Sequence, residues 1–172
     1  MNNKTAVRTL CLNAMIAAVY AALTMALPVL SYNVVQVRLA EGLTVLPFLL
    51  PETIPGLVLG CAVANLASSF GIVDVVVGTT ATLLAGLLTA RAPNKYLAPL
   101  PPVILNALLV GAELTWFQTG FGPGALEAFG LNALSIAAGE LVACYLIGML
   151  IINYLPGTVA FRRWKGRTLA GR

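Results

Sequence analysis

Apolar residues run in six stretches along the chain, over approximately 8–27, 41–50, 54–67, 73–90, 101–116 and 129–155, several of them bounded by Pro, Gly or charge. A helix needs about 20 mainly apolar residues to cross a bilayer. The pattern therefore predicts an all-α membrane protein, a six-transmembrane-helix bundle forming a single integral membrane domain over 1–172. The second and third stretches are short for full spans. The Pro51-Glu52-Thr53-Ile54-Pro55 break between them predicts a tight turn at the membrane surface. The alternative is a single re-entrant unit over both.

Composition removes the soluble alternative. Hydrophobic residues make up 59% of the chain and charged ones 9%, and a mean hydropathy of +0.92 exceeds what a soluble core needs. Charge placement then orients the bundle. Lys4 and Arg8 precede the first span, Arg91 and Lys95 lie between the fourth and fifth, and Arg162, Arg163, Lys165, Arg167 and Arg172 follow the sixth. With six spans all three regions fall on one side, which the positive-inside rule makes cytoplasmic together with both termini. Only Arg38 lies outside this set. The net charge of +4 is therefore a topology signal rather than a nucleic-acid footprint. Residues 1–9 contain no small-residue cleavage site, so the first span is expected to be retained.

Several chemistries are excluded. Cys11, Cys61 and Cys144 are isolated, with no metal or redox spacing, and read as small packing residues. The chain has no His, which removes His-dependent general-base catalysis. It also lacks a Gly-x-x-x-x-Gly-Lys-Ser/Thr phosphate loop. No enzyme, metal site or cofactor is expected, and energy for uptake would come from a partner's ATP hydrolysis or an ion gradient.

Polar residues inside the spans carry the functional signal, because an ionisable group at membrane depth costs a few kcal/mol or more. On the predicted topology the fifth span runs outward, with Asn106 near its middle and Glu113, Trp116 and Gln118 approaching the outer surface. The sixth runs inward, so Asn132, Ser135 and Glu140 share one face of its outer half. Asp74, Thr79, Thr82, Asn65, Tyr20 and Thr24 fall in the outer parts of the fourth, third and first spans. These groups converge on the outer half of the bundle. Glu113 and Glu140 are candidate ligand carboxylates, with Asn106 and Asn132 as amide readers and Trp116 as a stacking ring. The structural alternatives are a buried pair with Arg38 or an amide for the glutamates, interhelical hydrogen bonds for the amides, and an interfacial aromatic for Trp116.

Small residues give a second signal. Ala14, Ala18 and Ala22 recur every four positions in the first span, with Ala17 and Ala21 in a parallel row, and Gly56, Gly60 and Ala64 make a comparable groove in the third. Such stripes let another helix approach closely, inside the bundle or on a partner.

The strings Arg38-Leu-Ala-Glu41-Gly-Leu-Thr44-Val-Leu-Pro47-Phe, Ile54-Pro-Gly56-Leu-Val-Leu-Gly60-Cys-Ala-Val-Ala-Asn65-Leu and Gly71-Ile-Val-Asp74-Val-Val-Val-Gly78 resemble the queuosine precursor transporter family, QueT. The resemblance implies a substrate-binding S component of an energy-coupling factor transporter in a bacterial plasma membrane. Its implied partners are a membrane scaffold T component and two ATP-hydrolysing subunits. The implied substrate is a 7-deazaguanine such as 7-aminomethyl-7-deazaguanine, its nitrile counterpart or queuine. An Ala-x-x-x-Ala element in the first helix contacts the T component in such proteins, and Ala14 and Ala18 match that place. The segment 28–37 would form a gate over the ligand, with Arg38, Glu41 and Asp74 beside the site; Arg38 and Glu41 could instead only fix that loop. A stand-alone proton-coupled carrier using Glu113 or Glu140 is the other reading.

Overall fold

The computed structural model describes residues 3–26, 38–120 and 122–169. Helix α1 spans Asn3–Ala26. After Arg38 comes a 3-10 segment, Leu39–Val45, then the short α2, Leu46–Leu49, a 3-10 turn, Pro51–Thr53, and α3, Ile54–Asn65. Three longer elements follow: α4, Ile72–Thr89; α5, Leu100–Thr119; and α6, Ala125–Leu141. The last continues through a π-helical segment, Val142–Gly148, into α7, Met149–Tyr154. A 3-10 turn, Leu155–Gly157, then leads to α8, Val159–Leu169.

Among the described residues, four runs are long and apolar enough to cross a membrane: Thr5–Ala26, Ile72–Thr89, Leu100–Thr119 and Ala125–Gly157. They match the first, fourth, fifth and sixth predicted stretches. The second and third are shorter, Leu39–Leu49 and the 12 residues of α3. At about 1.5 Å per residue α3 covers roughly 18 Å, well short of a hydrocarbon core of about 30 Å. The cause is local. Pro47, Pro51 and Pro55 each stand at the start of a separate helical piece, where a missing N–H and a fixed φ are tolerated, so the stretch cannot run as one helix.

Glycines seat this short pair against its neighbours. A Cβ on Gly56 would lie 2.7 Å from the Asn13 carbonyl oxygen, and one on Gly60 would lie 2.9 Å from that of Ala17, so α1 and α3 touch at backbone distance. Asn13 then fastens the turn, donating to the Glu52 carbonyl at 2.9 Å while its Oδ1 accepts from the Gly56 N–H at 2.6 Å. On the other side, a Cβ on Gly42 would strike Ile147 at 2.7 Å and one on Gly148 would strike Val45 at 2.6 Å. The 3-10 segment and the π segment are thereby pressed together.

The π segment also explains a spacing. Ile136, Glu140, Cys144, Gly148 and Ile152 are all buried. In a pure α-helix a repeat of four drifts around the axis; wider π turns between Val142 and Gly148 cancel that drift and hold the five on one face.

The bundle is apolar outside and polar within. Leu10, Met15, Leu59, Val76, Leu88, Leu108, Leu131, Leu134 and Leu146 are exposed, while Arg38, Glu41, Asn65, Asp74, Asn106, Glu113 and Glu140 are buried. Such a surface suits lipid rather than water. The element directions place Asn13, Glu52, Lys95 and Asn153 toward one end. Trp164 of α8 donates to the Glu52 carboxylate at 3.2 Å, and Lys95 donates to Asn153 at 3.0 Å. Helix α8 therefore lies at the end from which α1 starts. Reporters fused at the two termini should consequently read the same compartment, cytoplasmic by the positive-inside rule; opposite readings would remove this arrangement.

Candidate functional site

Polar side chains from every long helix are buried inside the bundle. Arg38 stands just before the 3-10 segment, and its guanidinium reaches Asn65 Oδ1 at 3.5 Å and Asp74 Oδ1 at 3.9 Å. Asn65, the last residue of α3, donates to the Asp74 backbone carbonyl at 2.9 Å and so ties α3 to α4. Glu41 accepts a short hydrogen bond from the Tyr20 hydroxyl of α1. Its second oxygen, Oε2, has no hydrogen-bond partner among the described residues.

A second group lies between α5 and α6. Asn106 donates to Glu140 Oε1 at 2.9 Å, and the Cys144 thiol one turn on donates to Glu140 Oε2 at 3.4 Å. Cys144 also lies 3.5 Å from the Glu41 carbonyl oxygen and 3.8 Å from the Thr44 hydroxyl, which joins the two groups across the 3-10/π contact. Glu113 differs from the other acids. It is 6% exposed, faces Arg38 and Asp74 electrostatically, and neither carboxyl oxygen has a hydrogen-bond partner among the described residues. Thr82 Oγ1 on α4 is buried beside Cys61.

The structure thus brings Arg38, Glu41, Asp74, Asn106, Glu113 and Glu140 into one buried region. It sets Asn132 and Trp116 apart from these contacts. Asn132 donates to Gln118 Oε1 at 2.9 Å and to Thr115 Oγ1 at 3.2 Å, clamping α5 to α6 nearer their connecting turn. Trp116 is 47% exposed, with its ring edge-on to Phe117 at 5.0 Å. The segment 28–37, read above as a gate, lies outside the described residues.

Other participants were less visible in the sequence. Tyr20 was one outer-half polar group among many, and its pairing with Glu41 has no local motif. Cys144 read as packing, yet it stands four positions after Glu140, a spacing that puts both on one helix face. The α1 stripe resolves into two rows: Ala17 and Ala21 are buried toward α3, while Ala14 and Ala18 are exposed.

Comparison with known proteins adds one match. A family model described as the QueT transporter matches residues 10–156. No curated protein and no solved structure matches the chain.

The Tyr20–Glu41 bond links α1 to the 3-10 segment at membrane depth, so its loss should be felt as instability. Tyr20→Phe strips the donor from a buried carboxyl oxygen, a change that costs about 1–3 kcal/mol. Thermal unfolding in detergent should show a lower midpoint than for the unaltered chain; an equal midpoint would mean the hydroxyl contributes nothing there.

Proposed function

Because the chain belongs to the QueT transporter family, we propose that it is the substrate-binding S component of an energy-coupling factor transporter. It captures a queuosine precursor of the 7-deazaguanine class from the external side and passes it inward with ATP hydrolysed by partner subunits. The observation that supports this most is the buried cluster itself. Arg38, Glu41, Asp74, Asn106, Glu113 and Glu140 collect donors and acceptors at membrane depth, and several acceptor atoms have no protein partner among the described residues. A purely structural network would be expected to satisfy them. A guanine-like heterocycle, with ring N–H and exocyclic amine donors, has the complementary chemistry. On this reading Asn132 and Trp116, which stand nearer the turn between α5 and α6, meet the flat ligand before it reaches the cluster.

Partner docking is assigned to the outward row of α1. Ala14 and Ala18 are exposed, and small side chains allow the close backbone approach from which helix association in lipid gains its contact energy. The row that competes with it, Ala17 and Ala21, is occupied by packing on α3. A stand-alone proton-coupled carrier remains the second reading, favoured by the unpartnered carboxyl of Glu113; such a carrier would transport in liposomes with no ATP-hydrolysing subunit present.

Two outcomes are expected. In a thermal-shift screen of the purified chain, a 7-deazaguanine should raise the unfolding midpoint by mass action, while vitamins and ordinary purines leave it in place. Stabilisation by an unrelated nutrient would replace the substrate class. Ala14→Trp or Ala18→Trp should hold the scaffold helix away, so that co-purification with the energising subunits and ATP-dependent uptake fall together while ligand binding barely changes. Normal assembly of both variants would end the docking assignment.

A further inference from the structure

Of the four carboxyl groups in the buried cluster, three are already engaged by the protein. Asp74 faces the Arg38 guanidinium at 3.9 Å. Glu41 accepts through Oε1 from Tyr20. Glu140 is engaged at both oxygens, Oε1 by Asn106 and Oε2 by Cys144. Among the described residues Glu113 has neither a hydrogen bond at either carboxyl oxygen nor an ion pair, on a side chain more than nine-tenths buried.

We propose that Glu113 reads the two-donor edge of the ligand, accepting one hydrogen bond from a ring N–H and a second from the adjacent exocyclic amine of a planar 2-amino-4-oxo heterocycle. The inference rests on the substrate class proposed above and divides the labour that class leaves open between Glu113 and Glu140. Two coplanar acceptor oxygens match two parallel N–H donors in the manner of a bidentate carboxylate pair, and charge assistance makes such bonds strong ones. Glu140 cannot offer the same face without giving up Asn106 and Cys144. Its place is structural: it holds Asn106 and joins α6 to α5. Arg38 favours the charged form of Glu113 electrostatically and donates to neither of its oxygens.

The edge reading predicts a specific preference. A ligand that lacks the exocyclic amine leaves one Glu113 oxygen vacant in a buried site, and a buried acceptor without its partner weakens binding by about tenfold or more. Glu113→Gln keeps the shape but offers one acceptor and one donor, which opposes an edge made of two donors.

The test measures binding of 7-aminomethyl-7-deazaguanine, of its analogue without the exocyclic amine, and of its nitrile counterpart to the purified full chain. The unaltered chain should prefer the 2-amino ligand over the analogue by about tenfold or more. In Glu113→Gln that preference should collapse, with the analogue still bound nearly as before, which also shows the variant folded. Glu140→Gln should weaken all three ligands together and leave the preference intact.

Retention of the 2-amino preference in Glu113→Gln would overturn the assignment. So would its collapse in Glu140→Gln instead. If Glu113→Gln abolishes only the distinction between the aminomethyl ligand and its nitrile, Glu113 holds an ammonium group and the edge reading is wrong. Equal loss of all three ligands in Glu113→Gln with a lowered unfolding midpoint would make the residue structural. Each of these leaves the substrate class standing. Failure of the unaltered chain to bind any of the three overturns that class, and the edge assignment falls with it.

Discussion

Every hydrogen-bonding group that a bundle carries to membrane depth must find its partner inside the protein, because hydrocarbon offers none. Arg38 imposes that constraint most severely. A buried guanidinium is tolerated only with anionic and amide partners around it, and Asp74 and Asn65 supply them. Asn65 can do so because it ends α3 and also bonds the Asp74 carbonyl. Gly78 on α4 has no side chain where the Asn65 amide passes. The position of α4 against α3 follows from satisfying one cation. Glu41, three residues after Arg38, carries the same requirement to α1 through Tyr20. Helices that could otherwise slide past one another in lipid are thereby held at a fixed depth.

The long apolar helices were legible because length and hydropathy alone specify them. The Pro-broken stretch from Arg38 to Asn65 was legible as two short pieces, and Pro47, Pro51 and Pro55 account for their length. The π segment was not read, although buried positions every four residues from Ile136 to Ile152 hold its signature. Within the site, the amide alternative for a buried glutamate applies to Glu140, which Asn106 and Cys144 engage, and Glu113 has no such partner. The difference between the two could not be read from sequence. Both lie in apolar helices with no basic residue nearby in the chain, and only three-dimensional contact shows which one has its oxygens taken. Asn132 shares a helix face with Glu140 but bonds Gln118 and Thr115, because it lies two turns nearer the Gly120–Gly124 connection, where α5 supplies those groups.

Helix α1 presents two different faces. Asn13 and Tyr20, two turns apart and about 10 Å along the axis, fasten the short helical pair at its turn and at Glu41. Ala14 and Ala18 point away from that pair. A partner helix bound to the outward row would therefore grip the unit that holds Glu41 without entering the cluster. Under the proposed function, that separation would let partners move the subunit as a body while its ligand stays enclosed.

Charge within the cluster sets the remaining condition. Glu41, Asp74, Glu113 and Glu140 face the single guanidinium of Arg38, so full ionisation would leave 4 − 1 = 3 negative charges uncompensated at membrane depth. Amides, a hydroxyl and a thiol from Asn106, Tyr20 and Cys144 relieve part of this by donating hydrogen bonds. They leave both oxygens of Glu113 and one of Glu41 without donors among the described residues. A ligand rich in N–H groups, if it binds here as proposed, would supply the missing donors, whereas an acceptor-rich or anionic ligand would meet the same carboxylates with repulsion. Under the proposed function the cluster would select by what it lacks: unmet acceptors would favour donor-bearing, neutral or cationic heterocycles and disfavour anions before any detailed fit of shape is considered.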